Sequence, residues 1–101
     1  MDMQVKREGR CLEIYLKGEL DHHAAKEMMR RLDSETELVM PLQLTLDFSG
    51  VAFMDSSGIA VVMRSRQRVS AWGGKIKLRH VPLQPRKVLD AAGVGRLIEM
   101  E

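Results

Sequence analysis

Asp55-Ser56-Ser57-Gly58 sets a carboxylate and two hydroxyls side by side where an apolar segment, Val51-Ala52-Phe53-Met54, gives way to a helical pattern. Residues at such a junction lie at a helix N-terminus, where the first backbone N–H groups have no intrahelical partner. Two readings are open. In one, Asp55 or Ser56 caps the helix and Gly58 allows a tight turn, the ordinary use of these residue types. In the other, Ser56 accepts a phosphoryl group. Its phosphate would meet the free N–H groups and the positive end of the helix dipole, against the repulsion of Asp55. Such a group would add about 1.5 to 2 negative charges to the surrounding surface at neutral pH.

Gly18-Glu19-Leu20-Asp21-His22-His23 is the second polar constellation. It opens an earlier helix, and winding of an α/β sheet can bring it to the same edge as Ser56. Asp21 suits a helix N-cap or a polar contact for a partner. His22 and His23, as helical neighbours, point about 100° apart and do not readily share one metal ion. Ser56 has no Gly-x-Ser-x-Gly elbow, and the three histidines show no triad pattern. No phosphate-cradling glycine loop is present, because Trp72-Gly73-Gly74-Lys75 follows a helix instead of opening one. The residues therefore lead to the expectation of no catalytic residues, no metal and no cofactor.

These residues are positioned by a recognisable series of elements. Met3 to Lys6, the turn Glu8-Gly9-Arg10, and Leu12, Ile14 and Leu16 alternating with Glu13, Tyr15 and Lys17 predict a hairpin. Behind Asp21, the spacing of Ala25, Met28, Met29 and Leu32 predicts a helix to about Asp33, with Asp33-Ser34-Glu35-Thr36-Glu37 as its solvated end and loop. Leu42, Leu44 and Leu46 begin a strand that continues through Ser49-Gly50 to Met54. From Ser57 to Trp72, Ile59, Val62, Met63 and Val69 define one helix face and Arg64, Gln67 and Arg68 the other, with Gly73-Gly74 as the stop. Ile76, Leu78 and His80 alternate in a further strand. Pro82 and Pro85 then introduce a helix carrying Val88, Leu89 and Ala92, which Gly93 ends. Leu97-Ile98-Glu99-Met100 suits an edge strand. The order predicts an α/β fold: one domain over 1–101, with a mixed, mostly parallel sheet of four to five strands and three or more helices. One sheet face should be covered by helices and the other more open to water.

Composition excludes several classes. With 101 residues, 45% hydrophobic and 30% charged, the chain suits one folded domain, neither disordered nor fibrous. A net charge of +2 and only four aromatic residues give no field for direct nucleic-acid binding, and Arg64, Arg66 and Arg68 read as a solvated face. The longest apolar run, Ile59 to Met63, is five residues, against roughly 20 for a membrane helix. Met-Asp-Met-Gln-Val-Lys shows no secretory pattern, so a cytoplasmic location is expected. The single cysteine, Cys11, is expected to be a buried thiol in a reducing compartment.

Taken together, Gly18-Glu19-Leu20-Asp21-His22-His23, Phe53-Met54-Asp55-Ser56-Ser57-Gly58 and Gly73-Gly74 before a basic strand give the chain a pattern that resembles the STAS family, and within it the sporulation-type anti-sigma factor antagonists. The resemblance runs over nearly the whole length, and the pairing of Asp-His-His with Met-Asp-Ser-Ser-Gly is far more specific than either motif alone. It implies a partner-switching cycle. The unphosphorylated antagonist binds an anti-sigma factor that is also a serine kinase, and so releases a sigma factor. The kinase then uses ATP to phosphorylate the first serine of Asp-Ser-Ser-Gly, which matches Ser56, and a serine phosphatase reverses the modification. Asp21 matches an aspartate that contributes to kinase contact, while Asp55, Ser57 and Gly58 complete the motif around the acceptor. The alternative is a standalone STAS binding module of a general-stress or transport-regulating complex.

Overall fold

A computed structural model describes residues 1–101. The chain opens with β1 (Asp2–Glu8) and β2 (Cys11–Leu20), an antiparallel pair closed by Gly9 at φ 60°. A left-handed first turn residue suits the two-residue turns that match strand twist, and glycine adopts it without steric cost. Then follow α1 (His22–Val39), β3 (Gln43–Met54), α2 (Ser57–Ala71), β4 (Lys75–Arg79), α3 (Leu83–Ala91), a 3-10 turn at Val94–Arg96 and a two-residue β5 (Glu99–Met100). The five strands lie in the order β1-β2-β3-β4-β5, and every pair after the hairpin is parallel. This is the mixed, mostly parallel α/β sheet that the element order predicts. Right-handed crossovers stepping always in one direction place α1, α2 and α3 on one sheet face.

Side chains follow from that arrangement. Leu12, Ile14 and Leu16 of β2, Leu44, Leu46 and Phe48 of β3, and Leu78 of β4 are almost fully buried. They meet the stripe Ala25, Met28, Leu32 of α1 and Val61, Val62, Val69 of α2 in one continuous core. The buried stripe of α2 is Gly58, Val61, Val62, Ser65 and Val69, whereas Ile59 and Met63 of the expected face are only partly buried. α1 runs six residues beyond Asp33, to Val39, so the acidic stretch is helical and not a loop. Thr36 is buried there, its hydroxyl donating to the Leu32 carbonyl at 2.8 Å. Asp33 accepts hydrogen bonds from Arg64 Nε and Nη2 and pairs with Arg68, which also binds Glu37, so these acids stitch α1 to α2. The helix ends at Met40, left-handed at φ 45°, whose carbonyl accepts hydrogen bonds from Arg10.

A further expectation corrected by the structure concerns Cys11, which is exposed. It shares the phase of Glu13 and Tyr15, opposite the inward Leu12, Ile14 and Leu16. That phase belongs to the open sheet face, where a polar network replaces a second helical layer. Asp47, 2% exposed, receives hydrogen bonds from the Ser49 N–H at 2.9 Å and from Arg79 at 3.2 Å, and its carboxylate lies 3.0 Å from His80 Nδ1. Arg79 also reaches Glu13 and the Tyr15 hydroxyl. His80 leaves β4 in the left-handed region, at φ 54°, and turns the chain toward α3.

Burial acts to raise the Asp47 carboxyl, but hydrogen bonds from Ser49, then His80 and Arg79, outweigh it and bring it down to about 2. A depressed folded-state value stabilises the fold above the unfolded value near 4, and that contribution disappears as pH falls toward 2. Urea unfolding of the native chain and Asp47→Asn should therefore differ by about 2 kcal/mol above pH 5. The gap should narrow between pH 4 and pH 2; a gap independent of pH would show that the carboxylate charge is not what the network holds.

Candidate functional site

Parallel pairing of β2 with β3 continues to Leu20↔Met54, so both strands end side by side and the helices after them start side by side. The strand order never reverses, and no switch-point crevice exists. Adjacency of consecutive strands brings the two motifs together instead. Asp21 caps α1, its Oδ1 accepting from the Ala24 N–H at 2.8 Å. The Asp55 N–H donates to the Leu20 carbonyl at 3.2 Å, and His22 Nδ1 lies 3.3 Å from Ser57 Oγ. His23 is exposed.

The four residues of the second motif divide the work. Asp55 Oδ1 accepts from the Ser57 N–H at 2.8 Å, and the Asp55 carbonyl accepts from the Gly58 N–H at 3.0 Å. Asp55 thus supplies the side-chain cap of α2. Ser56 has helical backbone angles and makes no side-chain capping hydrogen bond, and it is exposed. Its hydroxyl is consequently presented to solvent on the first turn. Gly58 is buried, and a Cβ there would collide with the Met54 side chain and come within 3.1 Å of Leu20. Only glycine lets α2 start so close to the ends of β2 and β3.

Beside Ser56 runs a shallow open groove of about 500 Å³, lined by Ile59 of α2 and by Lys87, Val88, Ala91 and Ala92 at α3. Ala92 belongs to this exposed wall and caps the end of α3, where the sequence placed it on the helix's apolar face. Phe53 and Leu83, 40% and 70% exposed, add large apolar side chains at this end of the molecule. Sequence reasoning found Asp21, Asp55, Ser56, Ser57 and Gly58, and the fold gathers all five. It missed Gln84, whose side-chain amide bonds both backbone groups of Met54. No local signal marks that contact, which joins positions 30 residues apart.

The fold is that of a small, single α/β domain, and the STAS domain model matches residues 2–101. The chain belongs to the STAS domain family. It is 30% identical to the anti-sigma F factor antagonist of Lysinibacillus sphaericus over 81% of this chain and 70% of that protein. The anti-sigma factor antagonist SpoIIAA in its unphosphorylated form superposes with a TM-score of 0.85 at 26% identity, covering 99% of this chain and 88% of SpoIIAA. The phosphorylated form of the Bacillus cell fate determinant SpoIIAA superposes with a TM-score of 0.76, also at 26% identity, over 99% and 91% of the two chains.

The division of labour between Asp55 and Ser56 has a thermodynamic signature. Asp55→Ala should lower unfolding free energy by about 1 kcal/mol through loss of the cap, while Ser56→Ala should change it by less than about 0.5 kcal/mol. Equal losses in chemical denaturation would mean that Ser56 also caps the helix. Gly58→Ala should cost about 1 to 3 kcal/mol, because the new methyl must displace packed Met54.

Proposed function

We propose that this chain is an anti-sigma factor antagonist of the sporulation type, switched by phosphorylation of Ser56. Unphosphorylated, it binds an anti-sigma factor that is also a serine kinase and thereby releases the sigma factor, promoting sigma-dependent transcription. Binding is its activity; the phosphoryl chemistry belongs to the partner. The kinase moves the γ-phosphoryl group of ATP to Ser56 Oγ, the hydroxyl proton is lost and ADP leaves. A serine phosphatase hydrolyses the ester and restores the hydroxyl. The partners and their nucleotide assign the cycle to the cytoplasm.

The observation that carries this reading is the exposed Ser56 hydroxyl, left free because Asp55 takes the cap. An acceptor must be reachable by a kinase and must not be held in a structural hydrogen bond. The groove of Ile59, Val88 and Ala91 beside it offers apolar surface to a partner, and Asp21 and Ser57 lie along the same end of the sheet. The relationship to anti-sigma factor antagonists, one of them known in both phosphorylation states, supports the same reading.

The geometry also accounts for a switch without refolding. A hundredfold to thousandfold loss of affinity requires about 3 to 4 kcal/mol. Placing an unpaired charge in an interface costs about 2 to 5 kcal/mol, so one phosphate on Ser56 suffices by local exclusion. Asp55 adds a like charge next to it, and Lys87 across the groove offsets it only in part.

Incubation with an anti-sigma factor kinase and ATP should raise the intact mass by one phosphate, placed on Ser56 by fragmentation and absent from Ser56→Ala. Modification at another residue, or none, would return Asp-Ser-Ser-Gly to a helix cap.

A further inference from the structure

β3 outruns its neighbour. Its pairing with β4 ends at Asp47↔Arg79, whereas its pairing with β2 goes on to Met54, so residues 48–54 have no strand on the β4 side. The Asp55 N–H bonds to β2 through the Leu20 carbonyl. By alternation along a strand, the N–H and C=O of Met54 then face the side without a strand. Unpaired, these two backbone groups would be costly at the strand end that leads into the Ser56 turn.

Gln84, near the start of α3, fills that place. Its Oε1 accepts from the Met54 N–H at 2.8 Å and its Nε2 donates to the Met54 carbonyl at 2.9 Å. A primary amide presents one donor and one acceptor side by side, as a neighbouring strand would. The side chain thus stands in for one residue of β4. It is partly buried, and the helix that carries it is pinned nearby by Pro85, which is buried, and Leu89, which is fully buried. The same helix forms the far wall of the groove through Lys87, Val88 and Ala91. Met54 in turn packs under Gly58. One side chain therefore ties the acceptor turn to the surface against which a partner would seat.

We propose that Gln84 is a positioning residue: its paired hydrogen bonds to Met54 hold the Ser56 turn and the α3 wall of the groove as one rigid unit, so that a partner seated on α3 meets Ser56 in a fixed place. The use made of that unit rests on the function proposed above; the unit itself does not. Loss of the bonds should loosen the turn and leave the core intact, because α3 keeps its apolar anchors.

The test compares the native chain with Gln84→Met, similar in size but without either bond, and Gln84→Glu, which keeps an acceptor for the Met54 N–H and loses the donor at neutral pH. Amide hydrogen exchange in the free protein should speed up about tenfold or more at Met54 in Gln84→Met, with resonance shifts at Ser56, Ser57 and Val88 to Ala92, and less in Gln84→Glu. Amides of Leu12 to Leu16 and Leu44 to Phe48 should keep their protection. With an anti-sigma factor kinase, kcat for Ser56 should fall about fivefold or more while KM changes little. Unchanged exchange at Met54, or faster exchange spread evenly over the sheet, would overturn the proposal, as would native phosphorylation kinetics on a loosened turn. Should the native chain take no phosphate at Ser56, the functional reading fails, and the exchange and shift pattern still decides whether Gln84 joins the two surfaces.

Discussion

Side-by-side termination of β2 and β3 is the constraint on which the site depends. Their parallel pairing runs from Cys11↔Gln43 to Leu20↔Met54, with register shifts between Tyr15 and Lys17 and between Gly18 and Glu19. Once both strands end together, the helices that follow must begin together, and Asp21 and Asp55 become neighbouring caps. Close approach of α2 to the strand ends then demands glycine at position 58 and burial of Met54 beneath it. Ser56 stays exposed while Asp55 takes the cap and Ser57 Oγ lies against His22. Presentation of the Ser56 hydroxyl is thus a consequence of where the two strands end.

The two faces of the sheet do different jobs. On the helical face, apolar side chains from three helices and the central strands make one core. On the open face, Glu13, Tyr15, Asp47, Arg79 and His80 satisfy one another, and a buried carboxylate stays ionised through its hydrogen bonds. His80 links this network to the end of the molecule that carries Ser56, since the chain passes through its left-handed backbone on the way to α3. The ion pairs of Asp33 and Glu37 with Arg64 and Arg68 lie along the α1–α2 seam, with side chains partly exposed. Exposed pairs of this kind each contribute little, so they serve more to orient the helices than to stabilise them.

Much of this was legible in the residues themselves. Alternation in β2, capping at Asp21 and the junction at Asp55 to Gly58 are local signals, and local signals survive folding when each element keeps its own period. The same alternation places Cys11 outside, because it shares the phase of Glu13 and not that of its apolar neighbour Leu12. Asp33 and Glu37 are four apart, as are Arg64 and Arg68, a complementary spacing that could have predicted a helical seam instead of an acidic loop. Gln84 was beyond reach. A hydrogen bond from a side chain to backbone 30 residues away depends on where β4 stops, and nothing near Gln84 in the chain encodes that length.

The account rests on one claim: that charge on Ser56, and nothing larger, decides whether this surface accepts its partner. Calorimetric titration of an anti-sigma factor with the unmodified chain and with the chain phosphorylated at Ser56 tests it most directly, with amide spectra of both forms recorded alongside. The account predicts a loss of affinity of about a hundredfold or more, with spectral changes confined to the ends of β2 and β3, α2's first turn and α3. Equal affinity of the two forms, or changes spread through the core, would contradict it.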